Sequence, residues 1–311
     1  MKKGYSSGVF NGICSAAMWG ADTVLLSVFL PGDTAFLAPF ITTFFHDSFS
    51  AVWTFLYLLF RRQLGNLTKA LKTKSALYVA LAALMGGPIG MTGYLFAVKL
   101  IGPSYTAIIS SLYPAVGAFL SYVILKDKLN KKAWIGLIAV IVGIGLLGFT
   151  PSNGSLNLPG VLCASLCVIG WGSECVICAY GMKDKEVTSE LALQIRQLTS
   201  GLTYGFLIIP IVGGLGLTAE MAKSNIIFGI GITALTGTIS YLCYYAAIYK
   251  IGPTRAMGIN ITYVIWTIAI NMFRGEMPSV IAVLSSILVI SGVYFVAKEP
   301  EPELKENKSF I

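Results

Sequence analysis

The hexapeptide Ile169-Gly170-Trp171-Gly172-Ser173-Glu174 lies near the middle of a long apolar run, about residues 158–179, which predicts a membrane-spanning helix. A carboxylate at mid-span costs roughly 2.5 to 3.5 kcal/mol, so such a residue normally faces a polar cavity or a partner. Trp171 precedes Glu174 by three positions, which places indole and carboxylate on one helix face. That pair suits an organic cation. The alternative is a packed helix in which Glu174 is neutral or hydrogen-bonded to a neighbour.

The composition predicts an all-α integral membrane protein. Of the 311 residues, 56% are hydrophobic and 12% are charged. Apolar peaks that are long enough to span a bilayer recur along the whole chain. We predict ten transmembrane helices, at about residues 8–30, 35–60, 75–98, 103–125, 132–149, 158–181, 189–213, 225–248, 253–274 and 278–297. The third and fourth are interrupted by Gly86-Gly87-Pro88 and by Tyr113-Pro114, either of which can bend a helix.

Basic residues are distributed unevenly over the segments between these helices. With the N-terminus inside the cell and sides alternating, 18 of the 22 Lys and Arg residues fall on inner segments and 3 on outer segments. Arg196 lies within a span. The asymmetry predicts a multi-pass protein of the cytoplasmic membrane with both termini in the cytoplasm. It also explains the net charge of +8 as a signal that orients the chain in the bilayer, so no nucleic-acid partner is implied.

Two motifs recur at nearly one offset. Trp19-Gly20-Ala21-Asp22 matches Trp171-Gly172-Ser173-Glu174 at an offset of 152, and residues 97–103 match residues 247–253 at an offset of 150. A duplicated unit of five helices explains both matches. Because five is odd, the two copies would be inverted repeats, as in transporters that alternate access around a site at the repeat interface.

The repeat defines the predicted domain organisation. A polar, Pro-rich stretch follows the last predicted helix and favours disorder. The predicted units are the first five-helix repeat at residues 1–150, the second, inverted repeat at residues 151–297, and a disordered cytoplasmic tail at residues 298–311.

Aromatic residues at helical spacing indicate a candidate substrate cavity. The predicted eighth helix carries tyrosines at i, i+3 and i+4, and the ninth carries Asn, Tyr and Trp at steps of three. Such residues are commonly packing or interface residues, but a box of indole and phenol faces also binds quaternary ammonium groups. The predicted substrate-binding residues are Trp19, Tyr113, Trp171, Glu174, Tyr241, Tyr244, Tyr245, Asn260, Tyr263 and Trp266.

Four further ionisable residues lie within predicted helices, and we predict that Asp22, His46, Asp47 and Arg196 form a coupling or polar network. His46, the only histidine, is either a proton carrier or a hydrogen-bond partner of a neighbouring helix. Arg196 is expected to pair with a carboxylate rather than with substrate. The chain has no phosphate-binding loop, no metal-ligand cluster and no nucleophile–base constellation, so we expect neither an enzyme nor a metal or other cofactor.

The chain resembles the EamA-like branch of the drug/metabolite transporter superfamily in its ten-span inverted repeat and its two Ile-Gly-Pro echoes. Several stretches are similar to the Lic-type choline permeases of bacteria: His46-Asp47, Gly87-Pro88-Ile89-Gly90-Met91, Trp171-Gly172-Ser173-Glu174, Ile195-Arg196-Gln197, Ser240-Tyr241-Leu242, Tyr244-Tyr245 and Thr262-Tyr263-Val264-Ile265-Trp266-Thr267. The resemblance covers the whole chain except the acidic tail. It implies a central cavity between the halves and a cage of Trp and Tyr around a trimethylammonium head. Asp22 departs from that branch, which has a neutral residue there.

These features predict a secondary transporter that imports choline or a related quaternary ammonium compound by alternating access. A negative-inside potential favours entry of a monovalent cation by roughly 2.3 kcal/mol per 100 mV, and proton symport would deepen the gradient. An exporter of drugs or metabolites, working by cation/proton antiport on the same scaffold, is the first alternative. A non-transporting sensor or assembly subunit is the second, and the chain lacks the soluble segment that it would need.

Overall fold

The structure, a computed structural model, describes residues 3–29, 37–110, 112–126, 131–148, 158–183, 185–275, 277–278 and 280–298. The predicted boundary between the two halves falls at residues 149–157, and the predicted tail falls almost entirely at residues 299–311. Both lie outside the described residues.

Every regular element in the described ranges is helical. The helices are α1 Lys3–Phe29, α2 Ala38–Phe60, α3 Leu64–Ala70, α4 Lys74–Leu84, α5 Thr92–Ser110, α6 Tyr113–Leu120, α7 Lys131–Gly148, α8 Leu158–Gly181, α9 Ser189–Thr203, α10 Ile209–Ile211, α11 Leu215–Lys223, α12 Ile226–Ile251, α13 Pro253–Asn260, α14 Tyr263–Phe273 and α15 Val280–Lys298. Three π-helical segments continue α4, α6 and α9, at Met85–Met91, Ser121–Leu125 and Tyr204–Ile208 respectively.

Both predicted interruptions are confirmed. Pro88 lies inside the π-helical segment Met85–Met91, because a proline removes one backbone donor from the helical hydrogen-bond ladder. Helix α5 ends at Ser110, and α6 begins anew with Pro114 in its first turn, where a missing N–H costs nothing.

Five described stretches are long and apolar enough to cross a membrane: Gly4–Leu26, Lys74–Ile101, Leu158–Gly181, Ile226–Ile251 and Pro253–Phe273. Helices α2 and α9 are not among them, since α2 carries His46 and Asp47 and α9 is a 15-residue helix that carries Arg196. The chain is therefore a multi-pass membrane protein whose described elements are all helical, and the count of ten spans stays a prediction.

Helix α8 is central to the packing. It contacts α4, α5, α6 and the Met85–Met91 segment, while α1 lies along α12 and α2 packs on α9 and α12. Helices α7 and α15 pack closely on each other, and neither carries an Asp, Glu, His, Lys or Arg residue within its apolar stretch.

The glycines of the hexapeptide bring α8 into backbone contact with two neighbours. A methyl group on Gly170 would lie 2.5 Å from the Met85 carbonyl oxygen and 2.6 Å from the Gly90 Cα. On the opposite side of α8, a methyl group on Gly172 would lie 2.9 Å from the Tyr113 carbonyl oxygen. These contacts leave no room for a side chain, so the small residues fix how closely the helices approach.

We therefore expect Gly170→Ala to lower the free energy of unfolding by about 1 to 3 kcal/mol, because the new methyl group meets backbone that cannot rotate away. Thermal unfolding of the detergent-solubilised protein measures this. Gly231→Ala on α12 is the matched control: nothing lies within 4 Å of a methyl group there, and stability should be unchanged or slightly raised. Equal melting temperatures for the two variants would contradict the proposed backbone contact.

Candidate functional site

A cavity lies among α1, α6, α8, α12, α13 and α14. Nine of the ten predicted substrate-binding residues line it, which brings together residues that are up to 244 positions apart in the sequence. The lining residues are Ser15, Trp19, Tyr113, Trp171, Glu174, Cys175, Ser240, Tyr241, Tyr244, Tyr245, Ile248, Asn260 and Tyr263.

Trp266 is the predicted residue that does not line this cavity. Its side chain is 38% exposed. A methyl group on Gly20 would lie 2.7 Å from the Trp266 Cβ, so α14 is in close contact with α1 at this glycine. Tyr263 lies one turn earlier and faces the cavity. The three-residue step turns the helix by roughly 300°, which places Trp266 beside the cavity wall rather than within it.

The aromatic rings of the cavity contact one another edge to face. The Trp19 ring centroid lies 6.5 Å from that of Trp171 at an interplanar angle of 85°, and 5.5 Å from that of Tyr241 at 79°. Tyr113 meets Trp171 at 5.9 Å and 89°. This arrangement places the positive edge of one ring against the negative face of the next. Rings from both halves of the chain therefore meet at one point.

Sequence reasoning missed four residues that line the cavity, Ser15, Cys175, Ser240 and Ile248, and one that supports it, Tyr94. Ser15 and Ser240 hydrogen-bond across α1 and α12, with their hydroxyl oxygens 3.2 Å apart, and Asn260 donates to Ser15 at 2.8 Å. Isolated serines in apolar runs give no signal in one sequence. Tyr94 packs on Trp171 at 5.1 Å. At the repeat offset of 150, Tyr94 corresponds to Tyr244, and this correspondence is the sequence signal that could have identified it.

Glu174 lies at the cavity wall, is only 6% exposed, and is already paired. Its Oε1 accepts from Arg196 Nε at 2.8 Å and from the Tyr245 hydroxyl at 3.1 Å. A methyl group on Gly86 would overlap the same carboxylate, so this glycine makes the space for it. Both interpretations of Glu174 thus hold geometrically: it lines the cavity and it is hydrogen-bonded to neighbouring helices.

Arg196 pairs with carboxylates, and these ion pairs connect the cavity wall to the other predicted ionisable residues. Its Nη1 donates to Asp47 Oδ2 at 3.0 Å, and its Nη2 donates to the Tyr241 hydroxyl at 3.1 Å. Ser200 also donates to Asp47 Oδ2, at 2.5 Å. One buried guanidinium thereby connects α2, α8, α9 and α12.

His46 extends this network to α1. Its Nδ1 lies 3.2 Å from Asp47 Oδ1, and its Nε2 lies 3.3 Å from Asp22 Oδ1. The sequence did not require contact between adjacent His46 and Asp47, yet they touch. Thr236 donates to the same oxygen of Asp22 at 3.3 Å, whereas Asp22 Oδ2 is buried without a hydrogen-bond partner. We call Asp22, His46, Asp47, Arg196 and Glu174 the ionic network.

The ionic network carries a net negative charge. It contains three carboxyl groups and one guanidinium, so its formal charge with all three carboxyl groups ionised is −2, or −1 when the imidazole is also protonated. Within the described ranges, no group of three or more His, Cys, Asp or Glu residues is arranged to hold a metal ion.

The sequence profile of the EamA-like transporter family matches residues 6–149 and again residues 158–298. The chain belongs to the EamA-like transporter family. This confirms the resemblance found in the motifs.

Two relatives support the family assignment, and a solved structure has the same fold. Protein LicB of Haemophilus influenzae is 31% identical over 289 residues, which cover 92% of this chain and 96% of LicB. The uncharacterized transporter YyaM of Bacillus subtilis is 27% identical over 281 residues, covering 84% and 88% of the two chains. A protein of known crystal structure has the same fold, with a TM-score of 0.69 at 18% identity over 93% of this chain and 96% of that one.

Removing Arg196 should destabilise this EamA-family protein far more than removing the charge of Glu174. Arg196→Gln leaves two buried carboxylates, Asp47 and Glu174, without their guanidinium partner, and we expect a loss of about 3 kcal/mol or more. Glu174→Gln makes the ionic network less negative and keeps the side-chain shape. The loss of stability in this variant should therefore be less than half as large as in Arg196→Gln. Thermal unfolding of both variants at neutral pH measures the two losses of stability. Equal losses would show that net charge does not govern the stability of this network.

Proposed function

We propose that the chain is a secondary transporter that imports choline or a related quaternary ammonium compound by alternating access. One observation carries the proposal: indole and phenol rings from α1, α6, α8, α12 and α14 converge on a cavity that borders a net-negative ionic network. The identity with LicB agrees with the motifs shared with Lic-type choline permeases.

The chemistry of the cavity fits a quaternary cation. A trimethylammonium group cannot donate a conventional hydrogen bond, so its recognition rests on ring faces and a diffuse counter-charge. Such ring faces belong to Trp19, Trp171 and Tyr241, where the positive edge of one ring lies against the face of the next. A bound cation would take the place of a ring edge on such a face.

Energetics favour import as the proposed direction of transport. A negative-inside membrane potential favours entry of a monovalent cation by roughly 2.3 kcal/mol per 100 mV, so import needs no other driving force. Export would require exchange against protons, and the ionic network supplies groups that could carry them. Uptake into vesicles, with membrane potential and pH gradient imposed separately, distinguishes importer from exporter.

We further propose the inverted-repeat architecture. The family profile matches twice, in residues 6–149 and 158–298, which supports duplicated halves of five spans each. Rings from the first half, on Trp19 and Tyr113, meet rings from the second half, on Trp171 and Tyr241. A substrate site at the interface between two inverted repeats is the arrangement that alternating access requires.

Both termini are proposed to be cytoplasmic. Arg255, counted among the inner residues, is buried in α13, which leaves 17 inner against 3 outer basic residues. In a background without the six native cysteines, a cysteine at Lys126 should react only with membrane-permeant thiol reagents in intact cells. A cysteine at Lys223 should react with impermeant reagents as well. The reverse pattern would invert the topology.

Glu174→Gln should weaken choline binding at least tenfold, because it removes a carboxylate from the cavity wall while keeping its shape. Glu174→Asp should weaken binding less. Trp171→Phe should bind more tightly than Trp171→Ala, since part of the ring face remains. Isothermal titration of the purified protein measures all four dissociation constants.

Two controls sharpen this comparison. Trp134→Phe on α7 changes a tryptophan that does not line the cavity and should leave affinity unchanged. An uncharged isostere, 3,3-dimethylbutanol, should bind far more weakly than choline. If the isostere binds equally well, the proposal of a cationic substrate is wrong. If Glu174→Gln keeps affinity but loses concentrative uptake, Glu174 serves coupling instead of binding.

A further inference from the structure

Another cavity, apart from the candidate substrate site, is a groove between α2 and α9. Its volume of about 550 Å³ is within the range of roughly 300 to 1,000 Å³ that is common for ligand sites. Apolar side chains from both helices line it, among them Val52, which is 52% exposed, and Leu202, which is 54% exposed. Leu67 of α3 also lines the groove. In a bilayer these exposed apolar surfaces face acyl chains, so the occupant of the groove must be apolar over most of its length.

Helices α2 and α9 run antiparallel, and close contacts fix which of their residues lie opposite each other. A methyl group on Gly205 would lie 2.8 Å from the Phe44 ring, and one on Gly201 would lie 3.1 Å from the Ser48 hydroxyl oxygen. Four residues forward on α2 thus match four residues back along α9 and its continuation. At the same register, the last residue of α2 lies level with the first residue of α9.

Gln194 lines the groove and has an unsatisfied amide oxygen. The residue is 1% exposed, and its Oε1 is buried without a hydrogen-bond partner. An acceptor left unpaired in this way costs free energy, which a donor on a bound molecule would remove. By the register above, Gln194 lies level with Phe55, six residues before Arg61, which is about 9 Å along the helix axis. Helix side chains lean toward the helix N-terminus, so the Gln194 side chain leans toward the level of Arg61.

A basic segment follows α2 at this end of the groove. Within 14 residues the chain carries five exposed cations: Arg61, Arg62, Lys69, Lys72 and Lys74. None of the five forms an ion pair with a carboxylate in the part of the chain that the structure describes. The opposite segment, residues 183–190, carries two lysines and three acidic residues, so the formal charge of this end is +4. Such a cluster attracts anionic lipid head groups.

We propose that the groove binds one anionic glycerophospholipid with a hydroxyl-bearing head group, of the phosphatidylglycerol type. An acyl chain lies between α2 and α9, the phosphate pairs with the basic segment, and a head-group hydroxyl donates to Gln194 Oε1. The inference concerns the bilayer and not the transported cation, so it goes beyond the proposed function. Basic residues that only orient the chain in the membrane would need neither the groove nor the buried amide.

A lipid in this groove would also support the ionic network. Gln197 lines the groove, accepts from Arg196 Nη1 at 2.7 Å, and donates to the Ser50 hydroxyl oxygen at 2.7 Å. The bound lipid therefore contacts a side chain that joins α2 to α9 and holds the buried guanidinium. Because a ligand that binds only the folded state raises stability, phosphatidylglycerol should raise the melting temperature.

Native mass spectrometry of the full-length protein in detergent, titrated with dioleoyl phosphatidylglycerol or dioleoyl phosphatidylethanolamine, tests the proposal. We expect phosphatidylglycerol to bind at least about fivefold more tightly, which is the effect of one Lys or Arg residue at an anionic lipid surface. Phosphatidylethanolamine has the same chains and a head-group donor but no net charge. It is preferred to phosphatidylcholine, whose head group resembles the proposed substrate.

Charge variants separate a specific site from general attraction to basic loops. The double variant Arg61→Gln/Arg62→Gln should lose most of the preference for phosphatidylglycerol. Lys131→Gln/Lys132→Gln is the matched control, because it removes two exposed charges at the start of α7, on the same side of the membrane in the proposed topology. The control should keep the preference of the wild type.

Groove variants test the position of the lipid. Leu202→Trp fills the groove and should lose binding of both lipids, whereas Leu207→Trp, at a residue that is 55% exposed but does not line the groove, should keep it. Gln194→Leu should weaken phosphatidylglycerol binding by about twofold to tenfold, since the hydroxyl loses its acceptor.

Four results would overturn the proposal. The wild type might bind both lipids equally, or both charge variants could lose the preference to the same extent. Leu202→Trp could bind phosphatidylglycerol as tightly as Leu207→Trp does, which would place the lipid elsewhere. An unchanged affinity in Gln194→Leu would overturn the assignment of the head-group hydroxyl. Because choline takes no part in these titrations, each of these results leaves the proposed transport function standing.

Discussion

The position of one guanidinium governs the functional region. Arg196 is buried among four helices and is held by two carboxylates and a phenol. A guanidinium cannot lose its charge in a protein, so its burial is tolerable only while these acceptors surround it. Glu174 and Asp47 are kept in the bilayer interior by the same requirement. Cavity wall, polar network and helix packing are thus one electrostatic unit.

Much of the candidate site could be predicted from the sequence because periodicity and repetition are properties of a chain. The spacing of Tyr241, Tyr244 and Tyr245 puts them near one helix face, and the repeat pairs Trp19 with Trp171. Relations between helices could not be predicted in this way. Contact of His46 with both Asp22 and Asp47, and displacement of Trp266 by the approach of α14 to Gly20, depend on how the helices rotate against one another.

The same distinction applies to the fold. Helix interruptions at Pro88 and Pro114 follow from local chemistry, since proline lacks a backbone donor, and both were predicted. The close approach of α8 to two neighbours depends on Gly170 and Gly172, whose importance is visible only when the opposing backbone is present. Small residues at a helix contact act through the side-chain volume that they lack, and a single sequence does not show which neighbouring helix fills that volume.

The division of the ring cluster between the two halves of the chain has an evolutionary consequence. Trp19 and Tyr113 precede residue 149, while Trp171, Tyr241 and Tyr263 follow residue 158. Neither half alone supplies the whole ring cluster, so in the proposed site selectivity belongs to the pairing of the halves. If the halves are duplicated copies, as proposed, a change of ligand requires matched substitutions in both, and recombination that exchanged one half between relatives would join two unmatched partial binding sites.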